Sequence, residues 1–111
     1  CAEMMLIFGR EKLGIKIGEQ ELAMIKGFGG GMQREGVCGV LTGGVALLSI
    51  VYQNKDNLKE KIVRFQELFA EMAGYTNCED LKPIFRDVER RCADLIEKAM
   101  QILETIIIKE N

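Results

Sequence analysis

A continuous uncharged stretch, residues 36–54, constrains the fold of this chain more than any other feature. It reads GVCGVLTGGVALLSIVYQN and holds no charged side chain. Its apolar residues lie on all sides of a helix, and such a helix must be buried in a protein core or a membrane. The apolar part, 37–52, would span about 24 Å, whereas a membrane span needs about 20 apolar residues. We therefore expect a central helix enclosed by other helices, and no membrane span.

Three glycines on this predicted helix, Gly39, Gly43 and Gly44, leave one side of it almost without side chains. Each glycine costs roughly 0.5–1 kcal/mol in a helix relative to alanine. That cost indicates that another backbone, or a cofactor, comes close to this side. Gly39 and Gly43 are therefore candidate cofactor-binding residues. The remaining candidates are the loop glycines Gly29, Gly30 and Gly31. Their backbone N–H groups could donate to sulfur ligands.

Composition narrows the possible functions. The chain has 111 residues, a net charge of −2 and no histidine. This length suits one domain, residues 1–111, with one hydrophobic core. There is no basic cluster, so no nucleic-acid partner is expected. Without histidine the chain cannot form a Ser-His or Cys-His catalytic pair, and histidine-ligated zinc or haem iron is excluded.

No signal peptide is recognisable, since the chain opens directly into an amphipathic segment. We therefore expect a cytoplasmic protein, in which structural disulfides are uncommon and thiol or metal chemistry is more frequent. The chain begins at Cys1 without a methionine, which suggests that a short native N-terminal stretch is missing.

Apolar spacing predicts further helices on both sides of the central one. The predicted helices cover 1–13, 19–26, 37–52, 57–73 and 84–108, separated by a break at 14–18, a glycine loop at 27–36, a polar turn at 53–57 and a connector at 75–83. Asp56 or Asn57 is placed to cap the fourth helix, and Gly74 to end it. No strand pattern appears. The expected fold is all-α, a small bundle of about five helices around the buried, uncharged central helix.

Spacings of three and four residues indicate which faces point inward. On the fourth helix the inward residues are Leu58, Ile62, Phe65, Phe69 and Met72. On the last helix they are Phe85, Val88, Cys92, Leu95, Ala99, Ile102 and Ile106.

Four cysteines, Cys1, Cys38, Cys78 and Cys92, are the candidate chemical residues. They are separated by 37, 40 and 14 positions and form neither a CxxC pair nor a zinc-finger pattern. Cys38 follows the glycine loop and begins the central helix, where the helix dipole favours an anion and tends to lower the pKa of a thiol. It is the first candidate for a reactive thiolate. Scattered cysteines can equally be small core residues, so that alternative stays open.

The segments around these cysteines resemble a known family. They are Cys1-Ala2-Glu3, Gly29-Gly30-Gly31-Met32, Cys38-Gly39-Val40-Leu41-Thr42-Gly43, Asn77-Cys78 and Arg91-Cys92, in this order. Over nearly its whole length the chain resembles the redox-active protein family named for the cysteine pattern C_GCAxxG_C_C. Two departures are visible: Val40 replaces the usual alanine of the central motif, and the stretch that usually precedes the first cysteine is absent.

The resemblance implies a small helical domain with a redox function, either an enzyme or a binding module. In one hypothesis Cys1, Cys38, Cys78 and Cys92 are catalytic thiols of a thiol/disulfide or electron-transfer protein. Cys38 would then attack and another cysteine would resolve the mixed disulfide. The expected partner is a redox protein or a small thiol.

In the alternative hypothesis the same four thiolates ligate an iron–sulfur cluster or a metal ion. A third possibility is a helical interaction domain with structural cysteines. Covalent haem is not expected, because the chain has no CxxCH motif. Shared redox chemistry would require at least three of the four cysteines to converge at one end of the bundle.

Overall fold

The computed structural model describes residues 2–29, 31–85 and 93–109. In these ranges the chain forms the helices α1 (Ala2–Leu13), α2 (Glu19–Ile25), α3 (Gly39–Val51), α4 (Leu58–Ala73), α5 (Cys78–Phe85) and α6 (Ala93–Glu104). A 3₁₀ turn at Lys26–Phe28 follows α2, and a wide helical turn at Thr105–Lys109 follows α6. The described ranges contain no strand, only an isolated antiparallel bridge between Val37 and Asn77. The predicted all-α fold is confirmed.

Helix α3 is the central helix, as its uncharged sequence predicts. It packs against α1, α4 and α6, and each of its residues is buried or half-buried. Three of its side chains, Val40, Leu47 and Leu48, are fully enclosed. The fully buried side chains that the three neighbouring helices contribute include Met5, Leu6, Phe65, Phe69, Leu95, Met100 and Leu103. The four helices therefore share one core.

Two of the α3 glycines permit close helix packing. A Cβ atom at Gly43 would lie 2.7 Å from the Ala2 carbonyl oxygen and 2.9 Å from Met5 Cβ. Helix α1 therefore approaches the α3 backbone too closely for any side chain at this position. A Cβ atom at Gly44 would overlap the ring of Phe65 on α4. Close approach by a neighbouring backbone, one of the two expected reasons for these glycines, is thus observed at Gly43.

Most features predicted for α4 are observed. Phe65 and Phe69 are fully buried, and Leu58, Ile62 and Met72 pack against the core as half-buried residues. Gly74 ends the helix in the left-handed conformation, with φ +85°, and its N–H group donates to the Ala70 carbonyl at 2.8 Å. Asn57 occupies the N-cap position, but its side chain makes no capping hydrogen bond.

The predicted connector at 75–83 was wrong in part, because residues 78–85 form α5 with Pro83 inside it. Proline removes one intrahelical hydrogen bond and usually ends a helix. Here Leu81 is fully buried, and the start of the helix is held by the bridge between Val37 and Asn77. These tertiary contacts outweigh the local signal from Pro83.

The predicted last helix, 84–108, differs from the structure at its start and in its buried face. Residue 84 belongs to α5, and the described part of the last helix begins at Ala93. Leu95, Ala99 and Ile106 are buried as predicted, whereas Ile102 is only half-buried. Further buried residues are Ile96, Met100 and Leu103. Helix α6 packs on α1, α3 and α4, so its buried face is wider than one stripe. The predictions for Phe85, Val88 and Cys92 fall outside the described side chains.

None of the helices in the described ranges has the length and hydropathy that a membrane crossing requires.

Tyr52 directly follows α3, and its buried hydroxyl has no hydrogen-bond partner among the described residues. The ammonium groups of Lys55 and Lys61 each lie 5.7 Å from the centroid of its ring. Burial raises the pKa of the Tyr52 phenol above its ordinary value, because a desolvated site disfavours the charged phenolate.

Replacing Gly43 by alanine should lower the free energy of unfolding by about 1–3 kcal/mol, the usual effect of overpacking. The new methyl group would clash with the backbone of Ala2, which cannot rotate away. The cost of this clash exceeds the gain from the better helix propensity of alanine. Urea unfolding measures the change. Gly27→Ala is the matched control, since a Cβ there meets nothing within 4 Å. Equal stability of the two variants would contradict the close approach of α1 and α3.

Replacing Tyr52 by phenylalanine should raise the free energy of unfolding by about 1 kcal/mol, because it removes an unpaired buried hydroxyl. The raised pKa means that the folded state holds the phenol proton more tightly than the unfolded state does. The stability that depends on the protonated phenol is fully present below the unfolded pKa of 10.0 and is lost as pH rises through the folded pKa. Thermal unfolding over a series of alkaline pH values should therefore show that the stability of wild type falls more steeply with pH than that of Tyr52→Phe. Parallel curves would contradict the assignment.

Candidate functional site

A short backbone ladder joins segments 36–38 and 76–78. The Cys38 N–H group donates to the Thr76 carbonyl at 2.8 Å, and the Cys78 N–H group donates to the Gly36 carbonyl at 2.6 Å. Val37 and Asn77 form the antiparallel bridge between these two bonds. We name this ladder the cysteine clasp. It attaches the start of α3 to the start of α5, so the two cysteines lie together although 40 positions separate them.

Burial differs between the bridge residues and the cysteines that follow them. Val37 and Asn77 are exposed, whereas Cys38 and Cys78 are buried. Cys38 lies opposite Thr76 in the ladder, which makes Cys78 its diagonal neighbour. The two thiols are not bonded to each other.

Each of the two cysteines occupies the start of a helix. Cys38 is the N-cap residue of α3, and Cys78 is the first residue of α5. The positive ends of both helix dipoles therefore lie at the clasp, where they favour negative charge. The surroundings differ in one respect. The first turn of α3 carries no acidic side chain, whereas that of α5 carries Glu79 and Asp80.

A turn at residues 31–36 leads into the clasp. Gly31, Met32 and Gln33 have φ values of +64°, +60° and +66°, and the Gly36 N–H group donates to the Gly31 carbonyl at 2.9 Å. The left-handed region costs a non-glycine residue roughly 1–2 kcal/mol, so Met32 and Gln33 hold strained backbone. Gly31 has no room for a side chain, because a Cβ atom there would overlap the backbone of Gly36.

An apolar cavity of about 400 Å³ lies beside the outer face of the clasp. Its walls include Val37 just before α3, Leu41 and Val45 on α3, Ile25 at the end of α2 and Phe28 in the 3₁₀ turn. A second cavity of about 320 Å³ shares Ile25 and Phe28 and continues along the same helix. This side of α3 is therefore only half-covered, which the all-round apolar sequence did not predict.

The family model described as "Putative redox-active protein (C_GCAxxG_C_C)" matches residues 1–106 of the chain. The chain belongs to this family. A protein from Archaeoglobus fulgidus, described as "Uncharacterized protein", is 26% identical over 121 residues, which cover 92% of this chain and 80% of that protein. No solved structure is matched by the chain. The resemblance of the cysteine segments is thus confirmed, and with it membership of a family described as redox-active.

Of the four cysteines in the family pattern, Cys38 and Cys78 are brought together by the clasp. Cys1 and Cys92 lie outside the described residues, so convergence of at least three cysteines stays a prediction. In the described part of the chain no group of three or more cysteine, aspartate or glutamate residues is placed to hold a metal ion. The four-thiolate ligand set includes both Cys1 and Cys92, and it also stays a prediction.

The five candidate glycines have different settings. Gly29 accepts a hydrogen bond from the Gln33 side chain at 3.1 Å, Gly31 begins the left-handed turn, and Gly30 lies outside the described residues. Gly39 is the first residue of α3, and Gly43 contacts α1. Their cofactor-binding role stays a prediction.

Sequence reasoning missed Gly36 and Thr76, whose carbonyl groups build the clasp. Both act through the backbone, so their side-chain types give no chemical signal. The only sequence hint was their position two residues before Cys38 and Cys78.

Replacing Met32 by glycine should raise the free energy of unfolding by about 1 kcal/mol, since glycine adopts a positive φ without steric cost. Met32 is 51% exposed, so little packing is lost. The matched control is Met24→Gly on α2, where the side chain is 74% exposed and glycine should instead lower stability by about 1 kcal/mol. Urea unfolding compares the two variants. A similar loss in both would contradict the left-handed turn.

Proposed function

We propose that this protein is a dithiol–disulfide redox protein whose working pair is Cys38 and Cys78. The observation that carries the proposal is the cysteine clasp, whose backbone pairing brings together two buried cysteines from the starts of different helices. Core packing of two small residues requires no such backbone pairing. The family description supports redox chemistry in general, and the clasp supports this particular pair.

The reaction is thiol–disulfide exchange with an external disulfide. The Cys38 thiolate attacks one sulfur atom of that disulfide, so a mixed disulfide forms and one external thiolate leaves. The Cys78 thiolate then attacks the Cys38 sulfur, forms the Cys38–Cys78 disulfide and releases the second external thiolate. Two electrons pass from the protein thiols to the external disulfide, and the two thiol protons end on the released thiols. The reverse sequence reduces the protein.

Cys38 is assigned the attacking role because it begins α3 without an acidic neighbour in the first turn. Glu79 and Asp80 follow Cys78 directly and repel an incoming anionic disulfide such as oxidised glutathione. Cys38 is only 3% exposed, so attack requires the covering segment to open. The exposed residues 75–77, whose Thr76 carbonyl accepts from the Cys38 N–H group, are the segment assigned to that opening.

Cys1 and Cys92 are further thiols of the proposed centre. Their described neighbours, Ala2 and Ala93, begin α1 and α6, and both helices pack on α3. Ala2 contacts Gly43, a little more than one helical turn from Cys38 at about 3.6 residues per turn. This contact supports convergence of Cys1 with the pair. The proposed setting is the cytoplasm, with a redox protein or a small thiol as partner.

A second candidate function is ligation of an iron–sulfur cluster or a metal ion by the same thiolates. The pairing of the Cys38 and Cys78 segments favours it too, because ligands bound at about 2.3 Å to a common ion need no sulfur–sulfur bond. Colour separates the candidates. Protein purified without oxygen absorbs in the visible if it holds a cluster, and a dithiol protein is colourless.

The test is oxidation of the full chain by oxidised glutathione, followed by tryptic mapping without reduction. Each cysteine falls on its own peptide, 1–10, 35–55, 65–86 or 92–98, so every pairing is distinguishable. We expect 35–55 linked to 65–86, and loss of this link with dithiothreitol. In Cys78→Ser, glutathione should remain attached to Cys38, because the resolving thiol is gone. In Cys38→Ser, both products should be absent.

If the link between peptides 35–55 and 65–86 forms at no glutathione ratio, the dithiol function proposed for Cys38 and Cys78 is wrong. A visible absorption band that is lost in Cys38→Ser and Cys78→Ser would support the second candidate.

A further inference from the structure

We propose that the left-handed turn at residues 31–36 is a positioning element that sets the spacing of Cys38 and Cys78, and thereby the redox potential of the pair. This inference rests on the proposed dithiol function. The turn contains no thiol, so it acts through the backbone of Gly36.

Two hydrogen bonds connect the turn to Cys78. The Gly36 N–H group donates to the Gly31 carbonyl at 2.9 Å, and the Gly36 carbonyl accepts from the Cys78 N–H group at 2.6 Å. The peptide group before Gly36 is therefore held by the turn, and the peptide group after it is held by the start of α5. Cys38 is tied separately, through its own bond to Thr76. A displacement of Gly36 therefore moves Cys78 relative to Cys38.

Gly31 and Gly36 pack closely against each other within the turn. A Cβ atom at Gly31 would overlap the Gly36 nitrogen and lie 2.6 Å from the Gly36 oxygen. A Cβ atom at Gly36 would lie 3.2 Å from the Gly31 oxygen. The Gln33 side chain holds the turn from outside by donating to the Gly29 carbonyl at 3.1 Å. The two glycines thus touch backbone to backbone, and any side chain at position 31 must push Gly36 away.

The spacing of the two segments matters because a disulfide needs Cα atoms within about 7 Å of each other. A turn that keeps Gly36 in place keeps Cys78 beside Cys38, and so favours the disulfide over separated thiols. A turn that is forced open lets the two segments move apart, and so favours the dithiol.

The test is the equilibrium of the full chain with buffers of reduced and oxidised glutathione, read as the fraction of the 35–55 to 65–86 link. In Gly31→Ala we expect the equilibrium constant for disulfide formation to fall by about tenfold or more, which makes the potential more oxidising by about 30 mV. Gly36→Ala introduces a milder intrusion and should shift the equilibrium in the same direction by about threefold, or about 14 mV.

Two variants control for general effects of replacing glycine. Gly27→Ala adds a methyl group in open space, and Gly14→Ala replaces a glycine with φ +67° where a Cβ also meets nothing within 4 Å. Gly14→Ala should destabilise the fold through its backbone conformation while leaving the cysteine equilibrium within about twofold of wild type, or about 9 mV. Circular dichroism and thermal unfolding establish the folded fraction of each variant.

Each outcome decides between the two proposals. An unchanged equilibrium in folded Gly31→Ala and Gly36→Ala overturns the positioning role while the dithiol function stands. An equal fall of the equilibrium constant in Gly14→Ala also overturns the positioning role, because the effect would then come from a general loss of stability. If Gly31→Ala does not fold, the equilibrium constant of Gly36→Ala decides whether the positioning role stands. If wild type forms no 35–55 to 65–86 link, the proposed function is wrong and the positioning role falls with it.

Discussion

The contact between α1 and α3 at Gly43 is the interaction on which the rest of the bundle depends. Helix α3 has no charged face to turn towards water, so it is stable only where neighbours cover it. Gly43 lets the α1 backbone come within side-chain distance of α3, and Gly44 receives the Phe65 ring from α4. Fully buried residues such as Leu47 and Leu48 each contribute roughly 1.5–3 kcal/mol. Close packing on these sides fixes the axis of α3, and therefore the place of Cys38 at its start.

The cysteine clasp follows from that fixed helix start. The first N–H groups of a helix have no partner within the helix, and a buried backbone group needs one. The Cys38 N–H group finds the Thr76 carbonyl, and the Gly36 carbonyl in turn accepts from Cys78. A requirement of the backbone thus brings together two buried cysteines that lie 40 positions apart in the sequence.

Periodicity and glycine placement predicted the parts of the fold that local sequence determines. The buried α3, the inward Phe65 and Phe69, and the end of α4 at Gly74 all belong to this class. Helix α5 was missed because Pro83 is a strong local signal against a helix, whereas the contacts that outweigh it come from residues 40 positions away. The clasp could not be predicted from the sequence for a similar reason. Three paired residues are too few to give a strand pattern, and the backbone carbonyl groups of Gly36 and Thr76 do not depend on the residue type.

A redox pair requires both of its states to be accessible, and the geometry at the clasp bears directly on this requirement. Cys38 and Cys78 are both buried, and both lie at helix starts. A pair already in disulfide geometry would stay oxidised in all but strongly reducing conditions, and a pair far outside it could not close without unfolding. Backbone bonds at Gly36 and Thr76 hold the two cysteines beside each other without a sulfur–sulfur bond. The proposed movement of the strained turn next to Gly36 would change the balance between the two states through those bonds, without contact to either thiol.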